Sequence, residues 1–314
     1  MPLHPIIRPV DIVEATTFKV RLADFIESIH PLPGIDDACS RDVFIGQLVE
    51  SGRRRRYAVR LGTRRASSRV LDASSGAFNP LMGAVRMRDF GDFDNACWLV
   101  FLSVHFGRPK ITGWSLVSEF YSKLGQGGVW DWASVQSDVN KVRTWLDDNQ
   151  VDLKLRGGKF GNHRKYESLN GSSAGGTGEV IETYLEWVDG SHAKRLGDLM
   201  GGSSNPREAF GRIYPSLGEV VRFGRTARFD YLTMIGKLGI VDIEPDKAYL
   251  ANASGPRVGA QLMLEGTTSS TSSSAVLEIG LSRLASHLEI TFDVLEDALC
   301  NWQKSPTKFI AFRG

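Results

Sequence analysis

The sequence predicts a mainly α-helical fold. Apolar residues recur at helical spacing over several stretches, convincing period-2 runs are scarce, and no internal repeat of fixed period is present. Trp114, Val117, Phe120, Tyr121 and Leu124 line one helical face, and Trp132, Val135, Val139, Val142, Trp145 and Leu146 line another.

The elements follow in order. Scattered apolar positions from Val10 to Ile29 predict a first helix. The stretch Leu71 to Pro80 (LDASSGAFNP) is rich in turn residues and connects the N-terminal part to the main body. Asp92 to His105 opens with acids suited to a helix N-terminus and continues into apolar residues. Helices are expected over Trp114–Leu124, Asp131–Leu146, Thr177–Val188 and a long amphipathic segment, Ser216–Leu238. Two last helices cover Ala275–Leu288 and Thr291–Gln303, the second capped by Thr291. Short strand candidates are confined to Tyr57–Leu61 and Lys308–Arg313. The expected organisation is an N-terminal extension over 1–70, a helical body over 71–306 and a tail over 307–314.

With 314 residues, 42% hydrophobic and 24% charged, the chain can bury a substantial core, which excludes a wholly disordered or disulfide-framework protein. Its longest apolar run, Cys97 to Phe106, is about half the ~20 residues of a membrane span, and no charged-then-apolar signal opens the chain. A cytoplasmic protein without membrane contact is expected. Cys39, Cys97 and Cys300 share no metal-ligand spacing, so neither a metal nor another cofactor is expected.

The net charge of +2 conceals segregation. Arg53, Arg54, Arg55 and Arg56 begin a run continued by Arg60, Arg64, Arg65 and Arg69, with no carboxylate between Ser51 and Leu71. Arginine suits bidentate phosphate contacts, and such a run binds nucleic acid through counterion release. The alternative is arginines paired with acids elsewhere in the fold.

Three strings carry chemistry. FDYLTMIGKLGI followed by SGPRVGAQLML has the order of a helix–hairpin–helix near 229–265, whose turn amides approach a DNA backbone. FGNHRKYESL puts Asn162, His163, Arg164, Lys165, Tyr166 and Glu167 in succession, a mixture that cannot all be core. LEDALCNWQKS carries Asp297 and Asn301 beside Trp302. The glycine-rich GSSAGGTG (171–178) lacks the ending of a P-loop and is expected to be a flexible linker. His105, in an apolar helix, is expected in the core.

These strings, with WLVFLSVHFG (98–107) and FGRTARFDYL (223–232), resemble the third clade of the alpha-glutamyl/putrescinyl thymine pyrophosphorylase-like proteins, within the helix–hairpin–helix DNA glycosylase superfamily. The resemblance covers roughly residues 70 to 306. It implies a helical glycosylase-like fold with a central cleft and a pocket for an extruded base. It places Gly255, Arg257 and Gly259 on the DNA backbone, to which the arginine run, by its charge alone, would add phosphate contacts. Arg257 stands where that superfamily has its first hairpin glycine, and Gln261 where lyase-competent members hold a Schiff-base lysine. Glu278 stands nearest the superfamily's catalytic acid, usually an aspartate, with Arg283 beyond it.

Glu278, Asp230 and Asp297 are therefore rival catalytic acids, and Asn162, His163, Arg164, Lys165 and Tyr166 the base-recognition groups. The leading expectation is a monofunctional glycosylase acting on double-stranded phage DNA. It would excise a bulky hypermodified base, for example glucosylated 5-hydroxymethylcytosine, as antiviral defence. Two alternatives stay open: base hypermodification, in which an amine displaces pyrophosphate from a modified thymine, and non-catalytic binding of modified DNA. The oligomeric state is left open.

Overall fold

A computed structural model describes residues 7–311, except for the side chain of Asn162. Within them the chain forms fourteen α-helices and no strand, the nearest approach to one being an isolated bridge between Ser168 and Gly176. The α-helical expectation holds. A helix–hairpin–helix glycosylase fold with a cleft is not established by it. No described helix is long and apolar enough to cross a membrane.

The helices are α1 (Ile12–Ser28), α2 (Ala38–Gly62), α3 (Pro80–Asp89), α4 (Phe93–Phe106), α5 (Ser115–Tyr121), α6 (Trp132–Ser137) and α7 (Val139–Gly157). They continue with α8 (Thr177–Val188), α9 (His192–Met200), α10 (Pro206–Ser216), α11 (Arg225–Lys237), α12 (Gly255–Glu265), α13 (Ser274–Leu288) and α14 (Phe292–Trp302). Two compact units result. A terminal unit joins residues 7–57 with the described residues from Pro245 onward, and a central unit holds Ala58–Glu244. Among the described residues, α1 and the first part of α2 share a core with α12, α13 and α14.

The core of the terminal unit joins Phe18, Leu22 and Phe25 of α1, Phe44 and Leu48 of α2, Met263 of α12, Leu281 and Leu284 of α13, and Trp302 of α14. This packing requires Gly259. A Cβ on it would lie 2.6 Å from the carbonyl oxygen of Leu299, so only glycine lets α12 and α14 approach so closely.

In the central unit α4 is the buried axis. Every residue from Ala96 to Ser103 is buried, as are His105 and Phe106, because this helix is apolar all round. Helices α3, α9 and α11 pack against it. Phe101 stacks on Tyr184 of α8 with ring centroids 3.7 Å apart.

Some boundaries differ from expectation. The expected strand Tyr57–Leu61 is helical: with Arg53 to Arg56 it belongs to the second half of α2, consistent with arginine's high helix propensity and the buried Val49, Ala58 and Leu61. Asp131–Leu146 is two helices. Asp138 breaks the run with an extended backbone and caps α7 by accepting from the Lys141 amide at 3.2 Å. Ser216–Leu238 is interrupted by Val220 in an extended conformation and Arg222 at φ 59°, and α11 starts only after Gly224. Thr291 occupies the cap position of α14 without a side-chain cap bond. The expected C-terminal strand is absent through Ala311, and its last residues lie outside the described ones.

Candidate functional site

The sites expected from sequence fall in different units: Glu278, Asp297, the glycines of SGPRVG and Arg53 to Arg56 in the terminal unit, FGNHRKYESL and Asp230 in the central one.

Glu278 and Asp297 are bound into structure. One Glu278 oxygen accepts the Leu250 amide at 2.6 Å and the other the Ala248 amide at 3.0 Å, which fixes the turn before α12. Asp297 lies 2.5 Å from the Arg54 guanidinium and accepts from the Asn301 amide at 2.8 Å. Its arginine partner belongs to the expected DNA-binding run, and Arg53, Arg55 and Arg56 are engaged likewise. Arg53 pairs with Glu50 and with Asp11 at 3.4 Å, and Arg55 lies 3.5 Å from Asp293. Arg56 clasps both Glu14 oxygens at 2.7 and 2.9 Å. Arg53 to Arg56 thus meet the alternative of arginines paired with acids elsewhere in the fold.

The hairpin string likewise reads as packing. Gly255 faces the Cys300 sulfur, Gly259 faces the Leu299 backbone, and the Arg257 guanidinium donates to the Ser272 carbonyl at 3.4 Å. Gln261 is buried and donates to the Ser270 carbonyl at 2.8 Å, tying down the serine-rich loop. The helices expected to form a helix–hairpin–helix belong to different units, with residues 238–254 between them.

The central unit gathers the remaining groups. Gly161 donates its amide to the Phe106 carbonyl at 2.8 Å and opens a 3-10 turn over Asn162–Arg164. Any side chain on Gly107, itself at φ 68°, would strike the Gly161 backbone, and this close approach pins the turn to the end of α4. From the turn His163 points outward, its Nδ1 3.9 Å from Asp230 Oδ2, both side chains half-exposed. Lys165 sits over the ring of Tyr166, which is 79% exposed. The side chain of Asn162 lies outside the described residues.

Arg164 turns inward and is buried. Its Nε donates to the Val104 carbonyl at 3.1 Å and its guanidinium faces the Phe223 ring. Burial lowers its pKa most, opposed by the negative charges of Asp230 and Glu167. Glu167 itself pairs with Arg222 at 3.2 Å, and Arg222 also donates to the Tyr166 carbonyl at 3.0 Å.

Sequence reading missed the polar chain behind this surface. Asp94 Oδ1 lies 2.7 Å from His192 Nδ1, His192 Nε2 2.8 Å from the Tyr184 hydroxyl, and that hydroxyl 2.9 Å from the Tyr231 hydroxyl. Burial lowers the His192 pKa, so the ring is neutral at pH 7. Neutral His192 with Nδ1–H on Asp94 accepts at Nε2 from Tyr184, which in turn accepts from Tyr231. The chain holds Tyr231 on the inward face of α11, and Asp230 is the residue before it. His105, as expected, is buried: its Nε2 lies 2.9 Å from the Thr177 hydroxyl and burial pushes its pKa down to about 3. The sequence places a charged residue next to a tyrosine at 230–231, but no local pattern reveals partners on α4, α8 and α9.

The glycine-rich loop is structured rather than a flexible linker. Asp147 accepts from the Gly171 amide at 2.6 Å and from the Ser172 hydroxyl, and Glu179 accepts from the Gly175 amide at 2.5 Å. Those amides are engaged by the protein's own carboxylates. Among the described residues no group of three or more His, Cys, Asp or Glu side chains is placed to hold a metal ion.

No curated protein and no solved structure matches this chain. A family model described as alpha-glutamyl/putrescinyl thymine pyrophosphorylase clade 3 matches residues 39–314, reaching further in both directions than the strings that suggested it. The family's name is that of an enzyme, a pyrophosphorylase, and not of one that cleaves the base from its sugar. That overturns the expectation of base excision and the antiviral role attached to it. With most of its length matched, the chain belongs to the alpha-glutamyl/putrescinyl thymine pyrophosphorylase clade 3 family.

Proposed function

We propose that this protein replaces the pyrophosphate of an activated thymine in DNA with an amine. The observation that carries the reading is the family match over residues 39–314. The family's description names glutamyl and putrescinyl thymine, so the amine is the amino group of glutamate or of putrescine.

The chemistry sets requirements that the central unit's polar cluster meets. The substrate base carries a 5-hydroxymethyl group esterified with pyrophosphate. Nitrogen attack on the methylene carbon forms a C–N bond while the C–O bond breaks, and its electron pair leaves with pyrophosphate. The attacking amine must be neutral, so a base has to take its proton. His163 beside Asp230, at 3.9 Å, is the pair suited to that task, with the carboxylate orienting the imidazole and stabilising its charged form. The reacting carbon lies on a base, which leaves the stack to be reached, and exposed Tyr166 offers a face for it.

The test is an amine-dependent pyrophosphate release assay. Duplex DNA bearing pyrophosphorylated 5-hydroxymethyluracil is incubated with the full chain and either glutamate or putrescine. Release that requires one amine supports the reading. No release with either, from folded protein, refutes it.

A further inference from the structure

The guanidinium of Arg164 is in an unusual state. The residue is only 7% exposed, yet its Nη2 is buried with no hydrogen-bond acceptor. An unsatisfied buried donor on a charged group is costly, and native structures retain one rarely. The carboxylates that act on its charge are directed elsewhere: Glu167 to Arg222 at 3.2 Å, Asp230 toward His163 at 3.9 Å. Arg222 adds positive charge from a left-handed backbone at φ 59°, a conformation a non-glycine residue adopts at a cost. Lys165 and His163 flank Arg164 in the same turn. Nε is anchored on the Val104 carbonyl, so the guanidinium plane is held while one arm of its fork lacks an acceptor.

We infer that Arg164 is a phosphoryl-anion site and that its Nη2 donates to a diphosphate oxygen, namely one of the leaving pyrophosphate. This deepens the proposed function and rests on it. The fork of an arginine matches phosphoryl geometry, and the apolar Phe223 ring at 5.8 Å lowers the local dielectric, which strengthens each charge-assisted bond. The anion reaches the buried nitrogen through local rearrangement of neighbouring side chains. Holding pyrophosphate there stabilises the charge that develops as the C–O bond breaks. The same phosphoryl chemistry has a second source, the DNA backbone, so the experiment separates the two.

The experiment measures binding of inorganic pyrophosphate to the full chain by titration calorimetry, and of an unmodified duplex by anisotropy. Wild type, Arg164→Gln and Arg164→Lys are compared after their folding is checked by circular dichroism. The expected result is pyrophosphate binding weakened about tenfold or more in Arg164→Gln, less in Arg164→Lys, with duplex affinity unchanged. Should Arg164→Gln fail to fold, Arg164→Lys carries the comparison: it retains the charge, and undiminished binding overturns the assignment to the fork. Pyrophosphate affinity unchanged in both variants overturns the inference. So does a loss confined to the duplex, which would assign Arg164 to the DNA backbone. Arg164-dependent pyrophosphate binding without amine-dependent release by wild type would refute the proposed function and leave the anion site standing.

Discussion

Asp230 and Tyr231 are neighbours on one helix with opposite surroundings. Asp230 lies half-exposed 3.9 Å from His163, while the Tyr231 hydroxyl is buried 2.9 Å from that of Tyr184. The buried tyrosine anchors the helix and the acid beside it is thereby held at the surface turn. Asp230→Asn keeps the shape and removes the charge that orients His163. Pyrophosphate release is expected to fall by up to about 10²–10⁴-fold, the range of general-base catalysis that a disoriented His163 would forfeit, with folding unchanged. Wild-type turnover in this variant would remove Asp230 from the reaction.

Glu278 has the opposite character. Its oxygens accept the Ala248 and Leu250 amides at 3.0 and 2.6 Å, so Glu278→Gln weakens one charge-assisted bond and turns an acceptor into a donor. A stability loss of about 1–3 kcal/mol in urea unfolding is expected, with turnover retained below the unfolding range. A stable variant with abolished turnover would reinstate Glu278 as the reacting acid.

Gly259→Ala places a Cβ 2.6 Å from the Leu299 carbonyl oxygen. The expected cost is about 1–3 kcal/mol, the range for overpacking a core, seen as a lowered melting temperature. A glycine serving only DNA contact would instead lower duplex affinity and leave melting unchanged.

His105 gives the fold an acid limit. Burial holds its folded pKa at about 3, against about 6.5 in an unfolded chain. Below pH 6.5 the unfolded state takes up a proton that the folded state refuses, so stability falls as pH drops from 6.5 toward 3. The slope is about 1.4 kcal/mol per pH unit for this one residue. His192 shifts in the same direction through burial, and Asp94, lowered by its bond to His192, adds a loss at still lower pH. Urea unfolding at pH 7, 6 and 5 is expected to show the decline, and His105→Asn to make it shallower. An equal slope in the variant would mean that another group sets it.

Thiol reactivity checks the burial pattern. Cys39 is exposed and donates to the Thr307 carbonyl at 3.0 Å, whereas Cys97 is buried in α4, where burial pushes its thiol pKa up. A maleimide probe is expected to label Cys39 in the folded protein and Cys97 only after unfolding. Labelling of Cys97 under native conditions would contradict the packing of α4.

Helical periodicity made most of the fold legible. It located α4, α8 and α13 to within a residue or two, because each buries one face or all faces within local sequence. It failed where long-range pairing decides. The arginine run does not read as a helix until Glu14, Asp293 and Asp297 supply its counter-charges from distant segments. Two missed helices did carry a local signal: Asn79-Pro80 and Asn205-Pro206 are each a capping asparagine followed by proline at the first helical position. Of the candidate site, FGNHRKYESL was visible as an improbable core, but the partner of His163 came from a helix far along the chain. The buried state of Arg164 had no sequence signature at all, since arginine at that position reads as solvated.

In the proposed reaction, chemistry occurs at the substituent of the base and leaves the base on its sugar. Mass analysis of nucleosides digested from pyrophosphorylated DNA after reaction with amine tests it most directly. An amine-bearing thymidine nucleoside, equal in amount to the pyrophosphate released, is expected. Free base and abasic sites in its place would contradict that reaction.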